Sequence, residues 1–178
     1  MKYKMLMILG MVLAAGVLSG CLCCKFSGCP KAKQQQAIET ARQKILAGKA
    51  GCVIIKNGSI IHDENGRGIA PILDVYRLQT DKMKDSILVD KVIGKAAAMV
   101  AICGKVKYVH AELICDSAVD ILQKNNIKVT WTLRVKDILN RRRNGLCPME
   151  QTVLNISDPA EGVKALEIAV AKMKAAQK

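Results

Sequence analysis

The chain has 178 residues, a formal charge of +13 and eight cysteines, against one tryptophan, three tyrosines and one phenylalanine. Once an N-terminal export segment is set aside, roughly 145 residues remain, the size of one domain with a single sizeable core. A basic surface attracts anionic lipid, nucleotides or nucleic acid, but base stacking needs aromatics among the cations. Beyond the leader and tether only Tyr76, Tyr108 and Trp131 are available, so nucleic acid is not expected as a partner.

At the N-terminus, Lys2 and Lys4 precede an almost unbroken apolar run from Met5 to Val17, closed by Leu18-Ser19-Gly20-Cys21. That is the order of a secretory signal, and the run is shorter than the roughly 20 residues a spanning helix needs. Leu18-Ser19-Gly20-Cys21 resembles the lipobox of bacterial lipoproteins, in which small residues fit the peptidase and the thiol takes a diacylglycerol before cleavage. The resemblance implies a mature chain that begins at Cys21 and is held by lipid to the outer side of a membrane. Leu22 is not the aspartate that retains many lipoproteins at the inner membrane, so an outer membrane is expected where one exists. An ordinary signal followed by a chance cysteine is the alternative.

Three segments follow from this reading: a signal peptide (1–20), a cysteine-containing tether (21–33) and an α/β domain (34–178). In the tether, Cys23, Cys24 and Cys29 are open to disulfide formation, oxidation or a soft metal, but no histidine or second C-x-x-C knuckle stands nearby. Ile38, Ala41 and Ile45 lie at helical spacing and Gly48 is suited to a left-handed stop, which predicts a first helix over Gln34–Ala47. Asn57-Gly58 takes the positive φ angles of a tight hairpin, so Cys52–Lys56 and Ser59–His62 are predicted as antiparallel strands. Gly66 to Pro71 is a loop, and a short helix is expected from Pro71 to Leu78. Asp90–Ile102 reads as a helix, Lys107–Leu113 as a strand, Ser117–Lys124 as a helix and Lys128–Leu133 as a strand. The C-terminal helix has Asp158 as cap, Pro159 in its first turn, Glu161 three residues after the cap, and Val163, Leu166, Val170 and Met173 on one face. Strands separated by helices imply a parallel section of sheet covered on both sides, and with the hairpin this predicts a three-layer α/β/α sandwich with a mixed sheet.

Gly66-Arg67-Gly68-Ile69-x-Pro71, then Asp90-Lys91-Val92-Ile93-Gly94-Lys95-Ala96, then Cys147-Pro148-Met149-Glu150 together resemble a small prokaryotic family of unknown function grouped by fold with the cytidine deaminases. The resemblance covers about residues 35–155 and implies a cytidine deaminase-like fold, without implying deamination. Zinc deaminases take a His or Cys ligand and a proton-shuttling Glu from one helix start, and two cysteines from P-C-x-x-C at the next. The expected helix starts here read Asp90-Lys91-Val92 and Ile114-Cys115-Asp116-Ser117-Ala118, so the shuttle position is Val92 and the second cysteine position is Ala118. No cofactor is predicted and zinc is not expected. His110-Ala111-Glu112 has the H-x-E letters but lies inside a predicted strand, where the two side chains share a face and pair with each other or meet solvent. Two residual metal candidates stand: Cys115 in place of one ligand with Asp90 in place of another, and His110 with Cys147 as a distant third ligand.

A helix start bearing Asp90 and Lys91, with Lys95 one turn on and Cys147 to Glu150 arriving from the far end, suits a phosphate or other anion. Arg67 on its glycine-flanked loop can reach the same anion, and the alternative for all three cations is a solvated surface. Cys147 is open to two readings: a nucleophile with Glu150 or Asp90 as base, or a helix entrance with proline in the first turn. Cys52 and Cys103 read as core residues. The adopted function is a binding protein that presents a nucleotide-like or other anionic small molecule to the cell envelope. An enzyme using Cys147, Glu150 or an atypical metal, and a structural lipoprotein with no ligand, are the alternatives.

Overall fold

The computed structural model describes residues 30–176. The expected signal segment and Cys21, Cys23, Cys24 and Cys29 lie outside the described residues. The first helix, α1 (Pro30–Leu46), starts earlier than expected, so residues 30–33 of the predicted tether are helical. Proline is tolerated in a first turn, and the Lys-Ala-Lys that follows favours a helix. Strands β1 (Cys52–Lys56) and β2 (Ser59–Glu64) pair antiparallel across Asn57-Gly58, whose φ values of 52° and 74° are the left-handed pair a two-residue turn demands. Helix α2 (Ala70–Met83) has Pro71 in its first turn and kinks at Gln79, one residue beyond the expected end.

Strand β3 (Ile87–Ile93) and helix α3 (Lys95–Cys103) stand where a single helix over Asp90–Ile102 was expected. Ile87, Leu88, Val89, Asp90 and Ile93 are all buried, as in a central strand covered on both faces. Such a strand shows little alternation and cannot be told from a buried helix by period alone. The break falls at Gly94, which is extended and caps α3.

Strand β4 (Tyr108–Cys115), helix α4 (Asp116–Lys124), strand β5 (Lys128–Val135), helix α5 (Pro148–Val153) and helix α6 (Pro159–Ala175) complete the order. Asp158 caps α6 as expected, its Oδ1 accepting from the Glu161 N–H at 2.8 Å. Val163 and Leu166 are buried while Met173 is 45% exposed, so the buried stripe ends before the helix does.

The five-stranded sheet has the order β2-β1-β3-β4-β5. β1 is antiparallel to both neighbours, and β3, β4 and β5 are parallel. Alternate residues of the same strands feed two cores. Val53, Ile55, Ile87 and Val89 meet α1, while Cys52, Ile54 and Leu88 meet α2, α3 and α4 on the other face. Helices α5 and α6 pack onto α3. The three-layer α/β/α architecture with a mixed sheet is the one expected.

Helix α6 approaches α3 at Gly162, where an added Cβ would stand 2.3 Å from Sδ of the fully buried Met99. Gly→Ala inside a helix ordinarily gains about 1 kcal/mol. At Gly162 overpacking reverses the sign, and Gly162→Ala is expected to lose about 1–2 kcal/mol, read as a lower urea midpoint with unchanged slope.

Candidate functional site

The carboxyl ends of β3 and β4 bring together the three motifs that lie far apart in sequence. Gly51 leads into β1, and a Cβ there would meet Pro71 Cγ at 2.6 Å and the Gly66 carbonyl at 3.2 Å, so the Gly66–Pro71 loop lies against the start of that strand. The next residue, Cys52, pairs in register with Asp90 of β3. Past Asp90 the strand runs on to Gly94, and Glu150 from α5 closes the start of α3. Its Oε2 accepts the Lys95 N–H at 2.8 Å and its Oε1 the Ala96 N–H at 3.0 Å. A Cβ on Gly94 would lie 2.3 Å from Glu150 Oε1, so this close approach requires glycine. Cys115, the last residue of β4, places Sγ 4.0 Å from Glu150 Oε2.

Asp90 therefore belongs to a strand, not to a helix start. It is 7% exposed, and its Oδ1 accepts the Val92 N–H at 3.0 Å. Burial raises its carboxyl to about 7, with the backbone hydrogen bonds opposing. Burial, then the charge of Asp90, pushes the Cys52 thiol far above its ordinary range, in keeping with a core cysteine. Lys91 is exposed on β3 and Lys95 opens α3, so the expected helical pair on one face does not exist. The Lys95 ammonium instead donates to the Leu154 carbonyl at 2.8 Å. Arg67 is exposed on its loop.

The α3 start is thus an anion site already holding an anion of the chain itself. Glu150 is buried, which raises its carboxyl, while the Ala96 and Lys95 N–H groups work against that shift. Cys147 caps α5, where its carbonyl accepts the Gln151 N–H at 3.0 Å, the structural side of the C-P-M-E reading. A nucleophilic Cys147 would compete for Glu150 with the two N–H groups that carboxylate already serves.

Zinc hydrolysis needs three good ligands and a shuttling glutamate. The starts of α2, α3 and α4 read Ile69-Ala70-Pro71, Gly94-Lys95-Ala96 and Cys115-Asp116-Ser117, and these three offer one cysteine, whose thiol burial raises. His110 lies beside Thr130 and Glu112 on the α1 face of the sheet, whereas Cys115 packs in the opposite core beside Glu150, so the two share no metal. Among the described residues, no group of three or more His, Cys, Asp or Glu is placed to hold an ion. The residues present do not fit a deaminase zinc.

His110 and Glu112 do share a face, with His110 Nε2 3.5 Å from Glu112 Oε1. Arg42 of α1, which sequence reasoning missed, joins them: its Nε donates to Glu112 Oε1 at 2.5 Å and its Nη2 to Thr132 Oγ1 at 3.1 Å. The Arg42 hydrogen bond holds Glu112 below the usual carboxylate range, and burial pushes His110 below the usual imidazole range. Arg42 and Glu112 are 70 residues apart, and no local signal joins them.

A mixed sheet in the order 2-1-3-4-5, layered by helices, with its three motifs gathered at the carboxyl edge, defines an α/β sandwich protein. Within that class, the chain belongs to the family described as a domain of unknown function, DUF1893, which it matches over residues 40–169. It is similar in fold to the crystal structure of a DUF1893 family protein from Thermotoga maritima, with a TM-score of 0.64 and 21% identity, covering 78% of this chain and 90% of that one. RibD from Acinetobacter baumannii matches with a TM-score of 0.42 and 19% identity over 56% of this chain and 36% of its own. A Thermotoga maritima diaminohydroxyphosphoribosylaminopyrimidine deaminase/5-amino-6-(5-phosphoribosylamino)uracil reductase matches with a TM-score of 0.41 and 18% identity, over 66% of this chain and 41% of its own. No curated protein matches the chain.

Proposed function

We propose that this chain is an envelope lipoprotein, processed to begin at Cys21 and held there by lipid, whose cytidine deaminase-like domain binds a nucleotide-like or other anionic small molecule without zinc-dependent hydrolysis. The observation that carries the reading is the meeting of the Gly66–Pro71 loop, Asp90, the α3 start and Glu150 at the carboxyl edge of the sheet. Open α/β sheets take ligands at that edge. Because Glu150 already answers the α3 N–H groups, an anionic ligand is met by the exposed cations Arg67 and Lys91.

The test is native mass spectrometry of the full chain, with metal analysis of the same sample. A small anionic molecule is expected to accompany the protein, to be lost from the Arg67→Ala and Lys91→Ala variants, and to come without stoichiometric zinc. Zinc that departs in a Cys115→Ala variant would sink the reading. One observation favours a second reading, a structural lipoprotein with no ligand: Glu150 completes the α3 start by itself. A chain carrying neither metal nor small molecule would put that reading ahead.

A further inference from the structure

We propose that the end of the domain opposite the motif site is a docking face for an anionic lipid bilayer; this rests on the anchoring at Cys21 proposed above. β3, β4 and β5 start in register, with Ile87, Tyr108 and Lys128 abreast. The β1–β2 turn lies at the same end, since Ile55 pairs with Ile87. The turns that lead into these strands carry Lys56, Lys84, Lys105, Lys107 and Lys128 against Asp85, and Asp158 of the α6 cap stands near enough to Cys103 for its charge to act on that thiol. Backbone bonds knit these turns into one surface: Asp85 N–H to the Lys105 carbonyl at 2.9 Å, Lys107 N–H to Ser86 at 3.0 Å, and Lys128 N–H to Lys107 at 3.3 Å. Lys84, Lys105, Lys107 and Lys128 are exposed.

Helix α1 enters at this same end. A Cβ on Gly58, in the hairpin turn, would stand 3.1 Å from Lys33 Cβ. A cleft of about 390 Å³ there is lined by Lys33, Lys56 and Lys107 among others. The tether joins α1 at Pro30, and the stretch from Cys21 to that point spans at most about 30 Å when fully extended. A lipid on Cys21 therefore draws the lysine-rich end toward the bilayer and turns the carboxyl edge of the sheet, with Arg67, Asp90 and Glu150, away from it. Lysines within a Debye length of anionic headgroups strengthen attachment about fivefold each, and salt screens the effect. The diacylglycerol on Cys21 supplies two acyl chains and holds the chain by itself, so the basic face sets how the domain lies on the bilayer.

The experiment uses the full chain isolated from bacterial membranes and reconstituted in vesicles of phosphatidylcholine alone or mixed with phosphatidylglycerol. Lysines are acetylated with a water-soluble reagent and read by mass spectrometry, which also reports lipid on Cys21. On the phosphatidylglycerol vesicles Lys105, Lys107 and Lys128 are expected to lose reactivity roughly fivefold. Lys164 and Lys172 on α6 serve as unchanged controls, and the protection vanishes at high salt and in a Lys105→Glu/Lys107→Glu/Lys128→Glu variant whose circular dichroism is unaltered. A lipid-bearing chain that reacts equally on both vesicles overturns the docking face and leaves the anchoring intact. If Cys21 carries no lipid, the anchoring reading falls and flotation decides: salt-sensitive flotation of the chain with phosphatidylglycerol vesicles, lost in the triple variant, retains the docking face, and its absence overturns it.

Discussion

Replacing Asp90 by asparagine is expected to stabilise the protein by an amount that grows from little near pH 4 to about 4 kcal/mol near pH 8. Burial raises this carboxyl from 3.8 to about 7. Between those values the folded protein keeps a proton that the unfolded chain releases. The stability owed to protonated Asp90 is therefore complete below the unfolded value and is lost as pH rises through the folded one. Above it, the fold must hold a bare carboxylate in a nearly closed site. Asparagine keeps an oxygen for the Val92 N–H and carries no charge, so it removes the proton linkage while leaving the hydrogen bond in place. Urea midpoints of both proteins at about pH 5 and pH 8 decide the matter. A gap between them that does not widen with pH would show that Asp90 is not held as a raised acid.

Loss of Glu150 is expected to cost about 3 kcal/mol, or roughly 10 °C in Tm for a domain of this size. Two N–H groups at the start of α3, those of Lys95 and Ala96, lose their acceptor in Glu150→Ala, and the positive end of the helix loses its anion. Glu150→Gln keeps the shape and one acceptor oxygen, and should fall between the variant and the native protein. Gly94→Ala reaches the same contact from the other side, because its Cβ would sit 2.3 Å from Glu150 Oε1 and displace the carboxylate. Two changes that break one contact do not add. In the Glu150→Ala background Gly94→Ala should cost little, and thermal melts showing a fully additive loss would refute the shared contact.

Much of the architecture was legible because its signals are local. The Asn57-Gly58 turn, the Asp158 cap with Glu161, and the apolar spacing of Ile38, Ala41 and Ile45 each act within a few residues, and each is found where expected. Alternation of helix and strand from residue 90 onward, added to the hairpin, was enough to expect a mixed, helix-covered sheet, even though β3 was misread. The misreading has a physical source: Ile87 to Val89 turns apolar side chains to both cores, so its pattern carries no period, and the Asp90-Lys91 pair then imitates a helix start.

By itself, then, the sequence determined the layered α/β class, the hairpin, the capped C-terminal helix and the three motifs, since propensity, capping and turn geometry are properties of short segments. Only the tertiary structure decided what the motif residues do. It set Asp90 inside a strand, separated Lys91 from Lys95 by the Gly94 break, turned Glu150 onto a helix start 55 residues away, and joined Arg42 to Glu112. Those pairings depend on which faces pack together, and a side chain's charge state follows from the burial that packing imposes.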